Sequence, residues 1–440
     1  MPPVHSSRSS SSSPGTGIRI RRRPVPPTTV KLFPDCPDAH SPNTRTSGPA
    51  PAETGPGGNT SGCGTADCPP PSKEAHVPQE RAFHGTRKAA ASLVGIARLA
   101  ASSPRADTRR KSGERPEYFV LPVKSILNRC DSNRVPFEWT INPYRGCEFA
   151  CKYCYARYTH EYMELDGGEF EKKIFVKKDA APLLALDVAR KYSYTSQSSG
   201  GTEPEHIAIG TATDPYQPAE REYGVTRACL EELAKREGLS VSITTKSDQI
   251  VRDIEVLKRI AERSALYLNI TVTTMRPRLA RLLEPRAPRP DLRMEAVKEL
   301  REAGLATGVF ASPVLPGITD REGDLEAVAA AAQEAGAVWF ASYVLFLMPS
   351  SAKQFLPFLR EKFPKLARQY EQWYSHNGYA PEEYRRKISE RVARLRQKYG
   401  FHSRPWDERK RTARYLQLSL GWDAAALAQQ AERIQPCASG

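Results

Sequence analysis

The chain lacks any apolar run approaching the roughly 20 residues that a membrane-spanning helix needs, and its Ser- and Arg-rich start has no apolar stretch like that of a secretory signal. Acidic residues are absent from the first 34 positions, which is also a trait of organelle transit peptides, although this segment has no helical amphipathicity. We therefore expect a soluble, cytoplasmic protein without a membrane partner, and a transit peptide is the alternative.

Acidic residues are also scarce relative to basic ones at both ends of the chain. Residues 1–115 carry 17 Lys and Arg against 8 Asp and Glu, residues 349–440 carry 18 against 9, and the middle carries 30 against 33. The net charge of +15 thus comes from the two ends, which could steer the protein toward a polyanion such as DNA or RNA. Solvated basic faces that serve only solubility explain the same charge equally well.

Composition and pattern divide the chain into three regions. Apart from a short helical pattern at residues 87–101, residues 1–115 are rich in Ser, Pro and Gly and cannot bury enough apolar surface to offset the entropy of ordering, so we predict a disordered basic N-terminal region. Residues 116–348 form the predicted core. Residues 349–440 are helical in pattern and basic, and we expect two or three helices that pack on the core.

Six segments of the core are rich in β-branched or aromatic residues, and each is followed by a helical pattern. They are FEWTIN (137–142), HIAIGTA (206–212), LSVSITT (239–245), LYLNITVT (266–273), ATGVFASPVL (306–315) and VWFASYVLFLM (338–348). Six βα units in succession favour a parallel sheet of the α/β class, in which functional groups lie at the carboxyl ends of the strands.

The cysteines carry the clearest chemical signal. Nine cysteines without an export signal favour metal binding or thiol chemistry over a disulfide framework. Three of them, Cys147, Cys151 and Cys154, follow the first predicted strand on a loop that is expected to open a helix. Three thiolates within eight residues can converge on one face of an iron–sulfur cube and leave the fourth iron without a protein ligand. A zinc site with His160 as the fourth ligand is the alternative.

This CxxxCxxC motif, with an aromatic residue before its last cysteine, resembles the signature of the radical S-adenosylmethionine (SAM) superfamily. The resemblance extends over most of residues 122–348, and the segments PVKSILNR, NPYRGCEFACKYCYAR, IGTATDPYQPAE, TTKS and LLEPRAP resemble the branch related to spore photoproduct lyase. It implies a partial (β/α)6 TIM-like barrel, a [4Fe–4S] cluster and SAM as cofactors, and an electron donor of the flavodoxin or ferredoxin type.

The resemblance also implies roles for individual residues. The three loop cysteines would be catalytic and bind the cluster, whose fourth iron takes the amino and carboxylate groups of SAM. Tyr153 matches the position beside the adenine of SAM, and Thr213 and Asp214 match the groups that hold its amino end. Lys246 matches a lysine that reaches the SAM carboxylate.

The chemistry of these side chains suggests roles for them independently of the resemblance. A carboxylate, a hydroxyl and a lysine at the tips of adjacent strands suit a zwitterionic amino acid. Alternatively, Asp214 before Pro215 shapes a turn, and Lys246 helps to cap the next helix. Arg286, on a Pro-rich loop after the fourth strand, is a candidate clamp for a phosphate or a substrate carboxylate, with a surface ion pair as the alternative. Tyr155, directly after the last loop cysteine, is a catalytic candidate near the substrate.

We therefore expect an enzyme that cleaves SAM reductively to a 5′-deoxyadenosyl radical, which abstracts hydrogen from a large substrate, with nucleic acid favoured by the basic ends. Modification of a peptide or protein, or non-catalytic iron–sulfur binding of nucleic acid, are the alternatives. Spore photoproduct lyase activity itself is not expected. That family returns a hydrogen atom from a cysteine at the end of the second strand, where this chain has Thr211, and no cysteine occurs between Cys154 and Cys229.

Overall fold

The computed structural model describes residues 87–106, 116–132, 135–192 and 204–402. Its strands are β1 (Glu117–Val120), β2 (Leu127–Arg129), β3 (Trp139–Ile141), β4 (Tyr144–Arg145), β5 (Lys173–Val176), β6 (His206–Ile209), β7 (Ser240–Thr245), β8 (Ala265–Thr271), β9 (Thr307–Phe310) and β10 (Phe340–Ala341). Seven of them form one sheet in the order β10-β9-β8-β7-β6-β3-β2, and β1, β5 and β4 form a small second sheet.

Six strands of the large sheet, β3 and β6 to β10, are parallel and follow chain order across the sheet, whereas β2 pairs antiparallel with β3. Each of the six predicted strand segments contains one of these parallel strands. Within the described part of the chain no pairing joins β10 to β2, so the barrel is open along one side. The predicted α/β class and partial (β/α)6 TIM-like barrel are confirmed.

Helices connect the strands and cover the sheet. They are α1 (Arg87–Ser102), α2 (Tyr158–Glu161), α3 (Ala180–Asp187), α4 (Glu220–Tyr223), α5 (Val225–Leu233), α6 (Ile254–Arg263), α7 (Pro277–Leu283), α8 (Pro290–Glu302), α9 (Glu322–Glu334), α10 (Pro349–Lys362), α11 (Pro364–Trp373) and α12 (Glu382–Tyr399). α8 ends at Glu302, and Gly304 just beyond it adopts a φ of +83°, a conformation that glycine takes without strain. Among the described helices, none combines the length and the apolar character that crossing a bilayer requires.

The two faces of the large sheet differ in polarity. The outer face carries Ile, Val and Leu side chains such as Ile207, Val241 and Leu268, which are fully buried against the helices. The strand registers align small polar or aromatic side chains on the inner face, which we call the lumen; they are His206, Ser240, Ser242, Thr244, Tyr267, Asn269 and Phe310. Branched apolar side chains ordinarily fill such a barrel. Here Thr244, Tyr267 and Phe310 stay partly exposed in mid-sheet, so the lumen is open to polar ligands.

The floor of the lumen is closed by Trp339. Its indole Nε1 donates to Asn269 Oδ1 at 3.1 Å, and its ring lies directly over Gly308, where a Cβ atom would overlap the indole. Beside it, the His206 ring nitrogens contact the hydroxyls of Ser240 and Ser242 at 2.8 Å each. Trp339 and His206 therefore occupy the inner face near the amino ends of these strands, and we call the opposite end, where the carboxyl termini of the strands lie, the mouth.

Within the N-terminal region 1–115, α1 coincides with the short helical pattern noted at residues 87–101. Its Ala100 packs with Leu121 and Phe175 in a small apolar cluster on the second sheet. An Ala-rich helix can bury its small face against neighbouring strands even without large apolar residues. Residues 1–86 and 107–115 lie outside the described residues.

The C-terminal helices pack on the barrel, as predicted. Phe355, Leu359 and Tyr370 of α10 and α11 are buried in the same apolar cluster as the cysteine loop. On α12, basic side chains bind the core, because Arg396 Nε donates to Phe340 O at 2.7 Å and Lys398 pairs with a glutamate of α9. Much of the basic charge of this region is thus used inside the molecule. The rest of the predicted helical extension, residues 403–440, lies outside the described residues.

Candidate active site

The cysteine loop leaves β3 through β4 at the mouth. Gly146 precedes it with a φ of +83°, and a Cβ atom there would lie 2.7 Å from Lys173 O and 2.8 Å from Phe170 O, so only glycine fits. Ala150, between the first two loop cysteines, also has a positive φ, of 56°. This backbone conformation is strained for a residue with a side chain, and such strained residues cluster at functional sites. The loop does not open a regular helix as predicted; a 3-10 turn (Tyr155–Arg157) leads into the single turn of α2.

Two neighbouring segments hold the loop. Lys152 N donates to Leu283 O at 2.9 Å, and Arg286 N donates to Phe149 O at 3.3 Å, so the chain between α7 and α8 supports the loop from behind. Thr213 Oγ1 donates to Gly146 O at 2.6 Å and is itself the acceptor of a bond from Gln217. The loop is therefore a preformed structure rather than one that waits for a ligand.

The three loop cysteines lie in one apolar cluster, and all are free thiols. Burial is the main cause that raises the pKa of each, that of Cys151 to about 12, while Lys246 acts in the opposite direction on Cys151 and Cys154. Thiolates in this setting need cationic partners, and iron ions bound to all three would supply that charge. The donor set therefore fits a [4Fe–4S] cluster with three protein ligands.

His160 does not serve as the fourth ligand of a zinc site in this structure. Its Nε2 donates to Lys173 O at 3.0 Å, its ring packs edge-on against Phe170 and Phe175, and burial lowers its pKa to about 4. Across the described ranges, no three His, Cys, Asp or Glu side chains converge closely enough to hold a single metal ion. Cysteines that bind the corners of a cluster are spaced more widely than the ligands of one ion.

Lys246 lies at the end of β7, and its Nζ is 5.9 Å from the centroid of the Tyr153 ring. Burial alone would lower the pKa of this ammonium, but the nearby Cys151 and Glu284 outweigh burial and raise it, so the group is protonated. The capping alternative is not supported, because Ser247 Oγ accepts from Gln249 N and caps the following 3-10 turn (Asp248–Asp253) itself. A partly buried cation thus stands beside the cysteine loop.

Thr213 and Asp214 also lie at the mouth, but each is engaged within the chain. Asp214 Oδ1 accepts from Thr245 Oγ1 at 2.6 Å and its Oδ2 accepts from Lys246 N at 2.8 Å, which ties the end of β6 to the end of β7. Burial raises the pKa of this carboxyl, opposed by those hydrogen bonds. The turn-shaping role of Asp214 is therefore visible, and contact of either residue with SAM stays a prediction.

Tyr155 and Thr211 meet at the mouth. The Tyr155 hydroxyl donates to Thr211 O, and Asn142 Nδ2 donates to the Thr211 hydroxyl at 3.0 Å. The side chain that stands in place of the family's thiol is thus engaged by an amide. Arg286 is exposed at the rim, and only its backbone contacts the cysteine loop, so its role toward substrate stays a prediction.

Sequence reasoning missed a buried ionic group directly behind Tyr153. The Tyr153 hydroxyl donates to Glu284 Oε1, Thr273 Oγ1 donates to the same oxygen at 2.6 Å, and Arg293 Nη2 pairs with Glu284 Oε2 at 2.5 Å. Glu284 and Arg293 are each only 1% exposed. A signal was available, because Arg293 stands four residues before Val297 on the apolar stripe of α8, where a charged residue requires a buried partner.

Comparison with known proteins defines the class. Residues 141–328 match the model of the radical SAM superfamily, and the chain belongs to that superfamily. Membership implies an enzyme that uses an iron–sulfur cluster and SAM.

Particular relatives are themselves without an assigned activity. The chain is 34% identical over 284 residues to an uncharacterized protein of Mycobacterium tuberculosis (strain H37Rv). This match covers 64% of this chain and 81% of the relative. It is 30% identical over 207 residues to an uncharacterized protein of Methanocaldococcus jannaschii, covering 47% and 71% of the two chains. Among solved structures it is similar to spore photoproduct lyase with bound AdoMet and dinucleoside spore photoproduct, at 15% identity and a TM-score of 0.48, over 64% of this chain and 79% of that one.

Proposed function

We propose that this protein is a radical SAM enzyme that abstracts hydrogen from a nucleic acid. The observation that carries the reaction class is the meeting of three cysteine thiols, two buried and one partly buried, with a protonated lysine at the mouth of the barrel. When bound there, the cluster supplies the electron that cleaves SAM to a 5′-deoxyadenosyl radical. The three loop cysteines hold the cluster, and a flavodoxin or ferredoxin is the proposed electron donor.

The residues around the cysteine loop have separate tasks in this proposal. Lys246 offers a localised positive charge for the SAM carboxylate, since a buried ammonium gains most from an anionic partner. Asp214 orients Lys246 by accepting from its backbone N–H, and Tyr153 supports the ammonium with its ring face. Burial of the whole group keeps water away from the reacting atoms.

The lumen and its rim favour a substrate with planar polar rings. The lumen offers hydroxyl and amide groups, and Phe310 and Tyr343 lie at the carboxyl ends of the last two strands with ring centroids 6.1 Å apart. Tyr343 is 48% exposed, so part of its ring is accessible to a ligand. Stacking of a base on such a ring contributes about 1–3 kcal/mol. The paired basic residues of α12 contribute less to this proposal than the aromatic rim does.

The test uses anaerobically reconstituted full-length protein with dithionite and SAM, and scores 5′-deoxyadenosine by mass spectrometry. Deuterated DNA, deuterated RNA and deuterated peptide extract are supplied in separate reactions. We expect deuterium in 5′-deoxyadenosine from a nucleic acid, and loss of that transfer, with SAM cleavage retained, when Tyr343 is replaced by Ala. Deuterium transfer from the peptide extract alone would favour the peptide alternative, and no 5′-deoxyadenosine at all would refute the reaction class.

A further inference from the structure

A buried tyrosine, glutamate and arginine form a continuous chain of contacts behind Lys246. The Lys246 Nζ lies over the Tyr153 ring, the Tyr153 hydroxyl donates to Glu284, and Glu284 pairs with Arg293. Arg293 is in turn fixed by two carbonyls, because its Nε donates to Pro288 O at 2.8 Å and its Nη1 to Thr271 O at 3.0 Å. The chain of contacts therefore ends on backbone atoms of β8 and of the segment before α8.

The group carries a net charge of +1, and its Glu284–Arg293 ion pair is deeply buried, whereas Lys246 is partly buried. Lys246 and Arg293 contribute two positive charges and Glu284 one negative charge, next to the loop cysteines. Removing one member of a buried ion pair leaves an uncompensated charge, which is strongly unfavourable. Glu284 is hydrogen-bonded through both oxygens, which is the arrangement in which a buried carboxylate stays ionised.

We propose, on the basis of the proposed function, that Glu284 is a positioning residue for the SAM site. It holds the Tyr153 ring through the phenol hydroxyl, and that ring fixes the Lys246 ammonium at the place where it meets the SAM carboxylate. Its negative charge also sets the electrostatic potential at the cysteine loop.

A second Tyr–Glu–Arg group in this protein provides a matched control for the group around Glu284. The Tyr144 hydroxyl donates to Glu220, and Glu220 Oε1 pairs with Arg252 at 2.7 Å, with Glu220 also 1% exposed. This second Tyr–Glu–Arg group joins β4, through Tyr144, to α4 and α5, since the remaining bonds of Glu220 come from the Thr226 and Arg227 backbone N–H groups. It has the same chemistry without the proposed role.

The experiment compares Glu284→Gln with Glu220→Gln in the full chain, reconstituted with iron and sulfide. The single oxygen of the glutamine amide is expected to face the Arg293 guanidinium, which can only donate, so the amide N–H2 faces Tyr153 and the phenol hydroxyl loses its acceptor. We expect Glu284→Gln to retain full iron content, to weaken SAM binding about tenfold, the effect of one charge-assisted hydrogen bond, and to raise the midpoint potential of the cluster because a nearby negative charge is lost. Glu220→Gln should lower the melting temperature but leave SAM binding and the potential unchanged.

Two further measurements keep the inference testable if Glu284→Gln is poorly folded. Thr273→Val removes one donor to Glu284 while the ion pair with Arg293 remains, and should weaken SAM binding in the same direction. In apoprotein with ring-labelled tyrosine, the Tyr153 resonance, assigned with Tyr153→Phe, should move in Glu284→Gln and stay in place in Glu220→Gln. Equal SAM affinity and equal potential in both glutamine variants would overturn the positioning role. Absence of cluster or SAM binding in the wild-type protein would instead refute the proposed function.

Discussion

Replacing Lys246 by methionine tests the SAM site directly, because methionine keeps the aliphatic stem over the Tyr153 ring and removes only the charge. The ammonium is protonated and buried beside Cys151. A hydrogen bond to a charged group contributes roughly 1.5–3 kcal/mol, so we expect the Kd for SAM to rise about 10- to 150-fold. The iron content should not change, since Lys246 is not a ligand.

The same variant should change the cluster in a second, independent way. Lys246 favours negative charge on Cys151 and Cys154 by lowering their pKa values against the effect of burial. The positive charge of Lys246 therefore also stabilises the more negative, reduced state of the cluster. Lys246→Met should lower the midpoint potential of the cluster, whereas Glu284→Gln should raise it.

The assay is equilibrium dialysis of radiolabelled SAM against anaerobic reconstituted protein, together with a potential titration followed by electron paramagnetic resonance. Lys246→Arg, which keeps the charge, should recover part of the affinity. Lys177→Met is the control, because this second buried lysine donates to Asn142 O at 2.6 Å instead of facing Cys151. An unchanged Kd in Lys246→Met, at equal iron content, would refute the assignment of Lys246 to the SAM carboxylate.

Four further outcomes are expected. Alanine at any of the three loop cysteines should abolish the cluster, whereas Cys229→Ala, in a buried position on α5, should keep full iron content by chemical analysis. Burial lowers the pKa of Lys177 to about 7, so above that pH the unfolded chain binds more protons than the folded protein. The free energy of unfolding should therefore rise from about pH 7 toward pH 10. Lys177→Met should remove this pH dependence, as measured by thermal unfolding. Gly308→Ala should destabilise the protein by about 1–3 kcal/mol in denaturant titration, because its methyl group overlaps the Trp339 ring. DNA containing spore photoproduct should not be converted cleanly to thymines; clean repair by wild type at the rate of Thr211→Cys would contradict this expectation.

The sequence predicts the barrel well because each strand is specified locally. β-Branched runs followed by amphipathic helices leave few alternatives, and the carboxyl-end rule then places Lys246 and the cysteine loop at one mouth. The site is predicted less completely, because a polar residue at the end of a strand can either bind a ligand or stabilise the fold. Thr213 and Asp214 bind neighbouring backbone and hydroxyl groups in the structure, and no local pattern distinguishes these two uses.

The group around Glu284 could not be assembled from the sequence for a different reason. Tyr153, Thr273 and Glu284 come from three separate segments, and only the tertiary approach of α7 to the cysteine loop brings them together. The sequence pattern marks α1 but not its packing, because its burial depends on the second sheet, whose strand β1 is too short to be recognised from its sequence.

The polar lumen separates the part of the barrel that stabilises the fold from the part that can meet a substrate. Most of the apolar burial lies between the outer face of the sheet and the helices, so lumen residues such as Ser242 and Thr244 contribute little to the hydrophobic core. Substitutions there can alter which molecule is bound at little cost in stability, whereas most changes on the outer face are constrained by packing. Relatives that share this core can therefore diverge in substrate through their lumen side chains, and new specificities are accessible to the fold by few mutations.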